Sequence, residues 1–176
     1  MAAENLLKTS HIIAMTTTGR AKYGNLLQKV NFPIIIVEEA AEVFESHIIA
    51  SLSQNTRHII LIGDHEQLRP NPAVYDLSFK FNLSMSLFER LIKNEIKHST
   101  LEVQRRMRPE IAEVVRFIYP NLKDHESVTK YPNIKGIASN LFFYDHQYPE
   151  NSNDLMMSKV NQKEAEFIVR FTWYLL

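Results

Sequence analysis

Two short acidic turns hold the residues best suited to chemistry in this chain. The first, Glu38-Glu39, directly follows the apolar run Ile34-Ile-Ile-Val37. The second, Gly63-Asp64-His65-Glu66-Gln67-Leu68, follows Ile59-Ile-Leu-Ile62. In open α/β sheets, ligands bind beyond the carboxyl ends of the strands. A carboxylate fixed there can hold Mg²⁺ directly or through water, and a second can orient or deprotonate an attacking water. Simpler uses exist for both turns: acids suit the start of a following helix, and Gly-Asp is a common turn pair. If the two strands are neighbours, Glu38, Glu39, Asp64 and Gln67 converge on one crevice. Gln67 could there contact both a phosphate oxygen and a water. Gly63 is expected to let the backbone turn tightly.

A third cluster is basic. Val103-Gln104-Arg105-Arg106-Met107-Arg108-Pro109 sets three Arg at the N-terminal end of a helix expected over Pro109–Tyr119. The helix dipole disfavours cations there, so an anion close by, phosphate or carboxylate, would explain them. A solvated basic turn is the plainer alternative. Other chemistries find less support. The seven His lack the i, i+4 pairing of a helical zinc site, and the absence of Cys removes thiolate sites and disulfides. No Ser-His-Asp pattern with a nucleophile elbow is present. The run Phe142-Phe143-Tyr144 could stack on bases, but packing within a strand accounts for it more simply.

The elements that must position these residues follow from the hydrophobic pattern. Three β-branched apolar runs, His11–Met15, Ile34–Val37 and Ile59–Ile62, are continuous and not alternating, as expected of strands buried on both faces of a parallel sheet. Between the last two, Val43, Phe44, His47, Ile48 and Leu52 fall on about one helical face, giving a right-handed βαβ unit. Ser86 and Glu89 have capping-box spacing at the start of the next helix. A break falls near Lys97–Thr100. Ile111, Val114, Val115 and Ile118 follow helical spacing behind Pro109, a good first-turn residue. Lys123–Ser139 is polar and loop-like, Leu141–Tyr144 is expected as a strand, and Asn161 with Glu164 starts a closing helix.

Composition bounds the rest. The chain has 176 residues, 20 Lys+Arg against 20 Asp+Glu, and 45% hydrophobic residues. That supports a globular α/β fold of one domain or slightly more, and excludes wholesale disorder and a strongly basic nucleic-acid sponge. No apolar run approaches a membrane span and no signal pattern opens the chain, so an intracellular protein, cytoplasmic or nuclear, without membrane contact is expected.

Four motifs occur in order and at suitable separations: Val37-Glu-Glu-Ala-Ala41, Gly63-Asp-His-Glu-Gln-Leu68, Ser86-Leu-Phe-Glu-Arg-Leu91 and Gln104-Arg-Arg-Met-Arg-Pro109. Together they resemble the superfamily 1 RNA helicases of the nonsense-mediated-decay type. Within that group they are most similar to large zinc-finger-bearing helicase-like proteins of RNA silencing and antiviral defence. The resemblance implies a RecA-like parallel sheet with flanking helices, a P-loop NTPase helicase core incomplete at both ends. Residues 1–99 would be the C-terminal half of the first RecA-like domain and residues 100–176 the start of the second. It further implies ATP and Mg²⁺ as cofactors of the intact parent and single-stranded RNA as its partner.

By the same resemblance, Glu38 takes the place of the magnesium-linked Asp of the Walker B motif, reaching Mg²⁺ through water, and Glu39 takes the catalytic-base position. Gln67 corresponds to the γ-phosphate-sensing Gln and Arg106 to the Arg that reaches the γ-phosphate from the second domain. Asp64, Gln104 and Arg105 lie in the same nucleotide-facing motifs. Met15-Thr16-Thr17-Thr18-Gly19 is similar to the family's nucleic-acid-contacting segment. Three departures stand out: Glu38 is one methylene longer than the usual Asp, Arg69 replaces a Pro, and Arg105 replaces a Tyr. A fourth is an absence. The family's Gly-x-x-x-x-Gly-Lys-[Ser/Thr] loop would lie upstream of Thr16, and none of Gly19, Gly24, Gly63 and Gly136 precedes Lys-Ser or Lys-Thr. That loop supplies most ground-state phosphate binding. The 176 residues alone are therefore expected to bind neither cofactor tightly. The competing expectation is a non-catalytic remnant that binds RNA or a partner protein.

Overall fold

A computed structural model of the chain describes residues 2–30, 32–152 and 159–176. The chain divides into two compact units, Met1–Ser99 and Thr100–Leu176. In the first, helices α1 (Ala2–Thr9), α2 (Thr17–Lys22) and α3 (Gly24–Leu27) precede strand β1 (Ile34–Val37). A 3-10 turn over Ala40–Glu42 leads into helix α4 (Glu45–Ser51), followed by strand β2 (His58–Leu61). Helices α5 (Tyr75–Phe81) and α6 (Leu87–Lys93) complete this unit.

Strands β1 and β2 pair in parallel, Ile34 opposite His58 through Val37 opposite Leu61. The βαβ crossover expected from the sequence is therefore present, with α4 as its helix. Buried Leu27, Val30, Ala40, Ala41 and Ile48 form the core of this unit. Two expectations need correction. His11–Met15 forms no strand; Ile12 is 86% exposed, and Thr16 caps α2 directly behind the run, so the chain turns helical with no strand partner beside it. Nor are the Ile runs buried on both faces. Ile34, Ile36 and Ile60 are exposed, because among the described residues this sheet has two strands and helices cover only part of it.

In the second unit, strand β3 (Val103–Gln104), helix α7 (Pro109–Val115) and strand β4 (Lys123–Asp124) form another parallel crossover, β3 pairing with β4. A 3-10 turn over Glu126–Lys130 follows. Strands β5 (Asn151–Ser152) and β6 (Lys159–Val160) pair antiparallel, and helix α8 (Gln162–Leu175) closes the chain. Pro109 occupies the first turn of α7 as expected, but α7 stops at Val115 and not at Tyr119. Pro120 excludes a helical continuation and pushes the residue before it away from helical geometry. Asn161 caps α8 by accepting from the amides of Lys163 and Glu164, both at 3.1 Å. Leu141–Tyr144 is not a strand. Its rings are held by side chains instead: Tyr144 stacks on Phe167 at 4.4 Å between centroids, and Phe142 meets Phe171 edge-on at 5.6 Å. The Tyr174 hydroxyl donates to the Gly136 carbonyl at 2.7 Å and fastens the polar loop to α8.

Gly63 has a different role from the one its turn suggested. Its backbone does not need the left-handed region; a Cβ there would lie 2.9 Å from the Ala41 nitrogen and 3.0 Å from that of Ala40. What requires glycine is the close approach of two backbones. Gly63→Ala should destabilise the first unit by about 1–3 kcal/mol through forced overpacking. Gly24→Ala, whose Cβ meets only the flexible Arg20 guanidinium at 3.4 Å, should leave stability equal or slightly raised. Chemical denaturation of both variants checks this, and equal midpoints would refute it.

Candidate active site

The site begins where β1 ends. The Ile62 amide donates to the Val37 carbonyl at 2.9 Å, continuing the ladder past the strands, and the Ala40 amide then donates to the Ile62 carbonyl at 2.8 Å. Between these two bonds the chain must reverse direction within Glu38 and Glu39. Glu39 takes up the reversal in the left-handed region, at φ 52° and ψ 40°. That conformation costs a bulky residue about 1–3 kcal/mol and persists where its surroundings over-determine it. Here Ala40 and Ala41 are buried against Gly63, and the Glu42 amide donates back to the Glu39 carbonyl at 2.9 Å. Both carboxylate-bearing residues are left exposed at the carboxyl end of the strand.

The second turn lies on the neighbouring strand end. Asp64 accepts from the Glu66 amide at 3.1 Å through one oxygen and from the Gln67 side-chain amide at 2.7 Å through the other. Glu38, Glu39, Asp64 and Gln67 are therefore all carried by adjacent strand ends, the condition their convergence required. Gln67 remains exposed with its amide aimed by Asp64. Thr16 is the N-cap of α2, its hydroxyl accepting from the Gly19 amide at 3.0 Å, while Thr17 and Thr18 lie exposed in the first turn.

In the second unit Gln104 organises the basic loop. Its carbonyl oxygen accepts from the amides of Arg106 (2.8 Å) and Met107 (2.7 Å), and its NH₂ donates to the Met107 carbonyl (2.8 Å) and to Asp124 (2.7 Å). All four of its hydrogen-bonding positions are used inside the protein. Asp124 in turn pairs with Arg116 at 2.7 Å. Arg108 points into its own unit, donating to the carbonyls of Tyr131 and Pro132 and lying 5.8 Å over the Tyr131 ring. Arg105 and Arg106 are exposed, so of the three arginines they alone are presented to solvent.

Sequence reasoning missed several ion pairs that brace these turns. Arg90 forks onto Glu45 at 2.8 and 2.6 Å, and this hydrogen bonding holds the Glu45 carboxyl below its ordinary pKa. Ser86 does cap α6, accepting from the Glu89 amide at 3.0 Å, but the Glu89 carboxylate is buried on Arg69 and Lys93. The capping-box spacing masked that second use. Among the described residues no group of three or more His, Asp or Glu is placed to hold a metal ion. Mg²⁺ in phosphate sites takes only one or two carboxylates, the rest being phosphate oxygens and waters. The exposed Glu38 fits that donor set and no dedicated protein cage.

Comparison with known proteins now bears on the site. Residues 1–72 match one family described as an AAA domain, and residues 83–176 match a second of the same description. NFX1-type zinc finger-containing protein 1 of Mus musculus is 53% identical over 173 residues, covering 98% of this chain and 9% of that protein. The Helicase required for RNAi-mediated heterochromatin assembly 1 of Schizosaccharomyces pombe is 42% identical over 173 residues, 97% of this chain and 17% of its own length. ATP-dependent helicase upf1 of the same yeast is 32% identical over 112 residues, 64% of this chain and 12% of that protein. The chain belongs to the superfamily 1 helicases. It spans 9% to 17% of the length of these three relatives. Its fold is the RecA-like fold of P-loop NTPases, seen here as small parallel sheets with helices. Helicases of this family use ATP and Mg²⁺. Among the described residues no helix of this helicase segment is long and apolar enough to cross a membrane.

Gln104 is also the first cause of a shifted carboxyl. Its side-chain bond, followed by the Arg116 guanidinium, holds Asp124 below the usual carboxylate value, against its partial burial. A carboxyl lowered in the folded state stabilises fully above its unfolded pKa of about 4, and that contribution is lost as pH falls through the lower folded value. Carbon-detected NMR titration should place Asp124 below its unfolded value in the wild type. In Gln104→Leu it should move back up, with faster exchange of the Arg106 and Met107 amides. An unmoved Asp124 titration would contradict the assignment.

Proposed function

We propose that this chain is the part of an ATP-driven RNA helicase core that carries its water-activating, γ-phosphate-sensing and charge-stabilising residues. The observation that carries this reading is the pairing of β1 with β2, which puts two acidic turns side by side at the carboxyl ends of parallel strands, one turn strained at Glu39. Left-handed backbone at a non-glycine residue is concentrated in functional sites. In this reading residues 1–99 come from the first RecA-like domain and residues 100–176 from the second. Glu39 accepts a proton from the attacking water, and Gln67, aimed by Asp64, orients that water against the γ-phosphate. Glu38 would be the carboxylate that holds Mg²⁺, which would supply positive charge to the phosphate oxygens. Arg106 neutralises charge on the transferring phosphoryl group. Arg105 lies beside it, facing the nucleotide, and Gln104 holds the loop that presents both. Thr16, Thr17 and Thr18 contact single-stranded RNA at the start of α2.

One feature limits what these residues do by themselves. The chain contains no Gly-x-x-x-x-Gly-Lys-[Ser/Thr] run, so Mg·ATP is held by a phosphate loop supplied from elsewhere in the intact helicase. The names of the relatives, one an RNAi-linked helicase and one an ATP-dependent helicase, support RNA as the track and ATP as the fuel.

Paired conservative substitutions in the full-length protein test the roles. Glu39→Asp shortens the base in a backbone region that Asp tolerates well. Its kcat for RNA-stimulated ATP hydrolysis should fall by about 10²-fold or more, the scale of general-base catalysis. Glu38→Asp should leave turnover similar or improve it, because the carboxylate that would hold Mg²⁺ is kept. Steady-state assays of both variants decide. Equal and negligible effects would overturn the assignment and favour a non-catalytic RNA-binding segment.

A further inference from the structure

We infer that Glu89 is a positioning residue for Gln67, acting through Arg69; the inference rests on the ATP-hydrolysis reading above. The Glu89 side chain is 3% exposed, yet it carries a charge. Its Oε1 accepts from the Arg69 guanidinium at 2.5 Å and from the Lys93 ammonium at 2.8 Å, both of which are themselves more than half exposed. A buried carboxylate is tolerated where it is paired and hydrogen-bonded, and removing its partners strands the charge.

The two partners differ in what they fasten. Lys93 lies one turn along the same helix, so its bond stays within α6. Arg69 comes from another segment, two residues beyond Gln67. Pro70, buried behind it, biases Arg69 to extended backbone, which makes a short stiff link from the buried anchor to the Gln. Gln67 is bonded upstream to Asp64 at 2.7 Å, and downstream its backbone runs through Leu68 to Arg69, which Glu89 holds.

Helix α6 is suited to be the fixed point of this link, because it is tied to both acidic turns. Ser86 forms an isolated antiparallel bridge with Phe44, and Arg90 forks onto Glu45, both just past Glu38-Glu39. On the other turn, the Phe88 ring lies 6.4 Å from that of His65, and Glu89 holds Arg69. The helix therefore sets the position of the sensing Gln relative to the base-bearing turn. Arg69 is the covalent end of that link.

Comparison of the two cations separates positioning from mere stability, since either variant leaves Glu89 one partner. In the full-length helicase, Arg69→Ala should lower kcat for RNA-stimulated ATP hydrolysis about tenfold, with KM for ATP within about twofold. Backbone amides of residues 65–69 should exchange faster by mass spectrometry. Lys93→Ala should leave both kcat and that exchange near wild type, although its melting temperature falls as much. Arg69→Lys, keeping a cation on the link, should recover part of the turnover. Arg69→Ala and Lys93→Ala acting alike, or Arg69→Ala leaving the exchange unmoved, would overturn the inference. Gln67→Ala serves as the reference. If it leaves turnover intact, the hydrolysis reading fails, and the exchange comparison still decides whether the link holds Gln67.

Discussion

The two acidic turns of the candidate site are joined by one close backbone contact, where Ala40-Ala41 presses against Ile62-Gly63. The Ala40 amide bonds the Ile62 carbonyl at 2.8 Å, and no side chain fits at position 63. That contact joins the ends of β1 and β2 after their ladder has run out. The reversal at Glu38-Glu39 lies beside it, with Glu39 in the left-handed region, and Asp64 and Gln67 follow Gly63 at the neighbouring strand end. The buried Ala pair is small because two backbones need the room.

Around this contact the structure uses charge where apolar packing is thin. Few large side chains in either unit are buried, and the second unit has only Ala112 and Val128 buried among its described apolar residues. Ion pairs take over the bracing: Arg90 with Glu45, Arg69 with Glu89, and Arg116 with Asp124. The part-exposed Arg90–Glu45 pair is worth little by itself, about 0–1 kcal/mol, whereas the Glu89 carboxylate is buried and needs its partners. Their value here is geometric: Arg69–Glu89 ties helix α6 to the segment just past Gln67, Arg90–Glu45 ties α6 to α4, and Arg116–Asp124 ties the end of α7 to β4. The Gln104 amide does the same without charge, fixing the backbone from which Arg106 projects.

Much of this was legible in the sequence, for physical reasons that differ by element. The βαβ crossover could be read because β-branched runs bracket a helical stripe, and the caps at Ser86 and Asn161 because their polar side chains and spacing leave few other uses. His11–Met15 and Leu141–Tyr144 misled because apolar composition gives a strand tendency but cannot supply a strand to pair with. Gly63 was recognised as special, yet the need for close approach and not for a turn appears only in three dimensions. Glu89 was hidden by its own backbone amide, which satisfied the capping pattern while the carboxylate served Arg69. Gln104 looked like a ligand-binding amide, and the structure spends all four of its hydrogen bonds inside the protein.

The central claim is that these turns and the Gln104 loop belong to one hydrolytic reaction, with Arg106 acting on its transition state. Single-turnover and steady-state ATP hydrolysis by the full-length protein carrying Arg106→Ala tests it most directly. Arginines in this role are worth about 10³–10⁵ in rate while contributing little to ground-state binding. The expected outcome is a kcat reduced on that scale with KM for ATP little changed. A variant that binds ATP poorly yet turns over normally at saturation would contradict it.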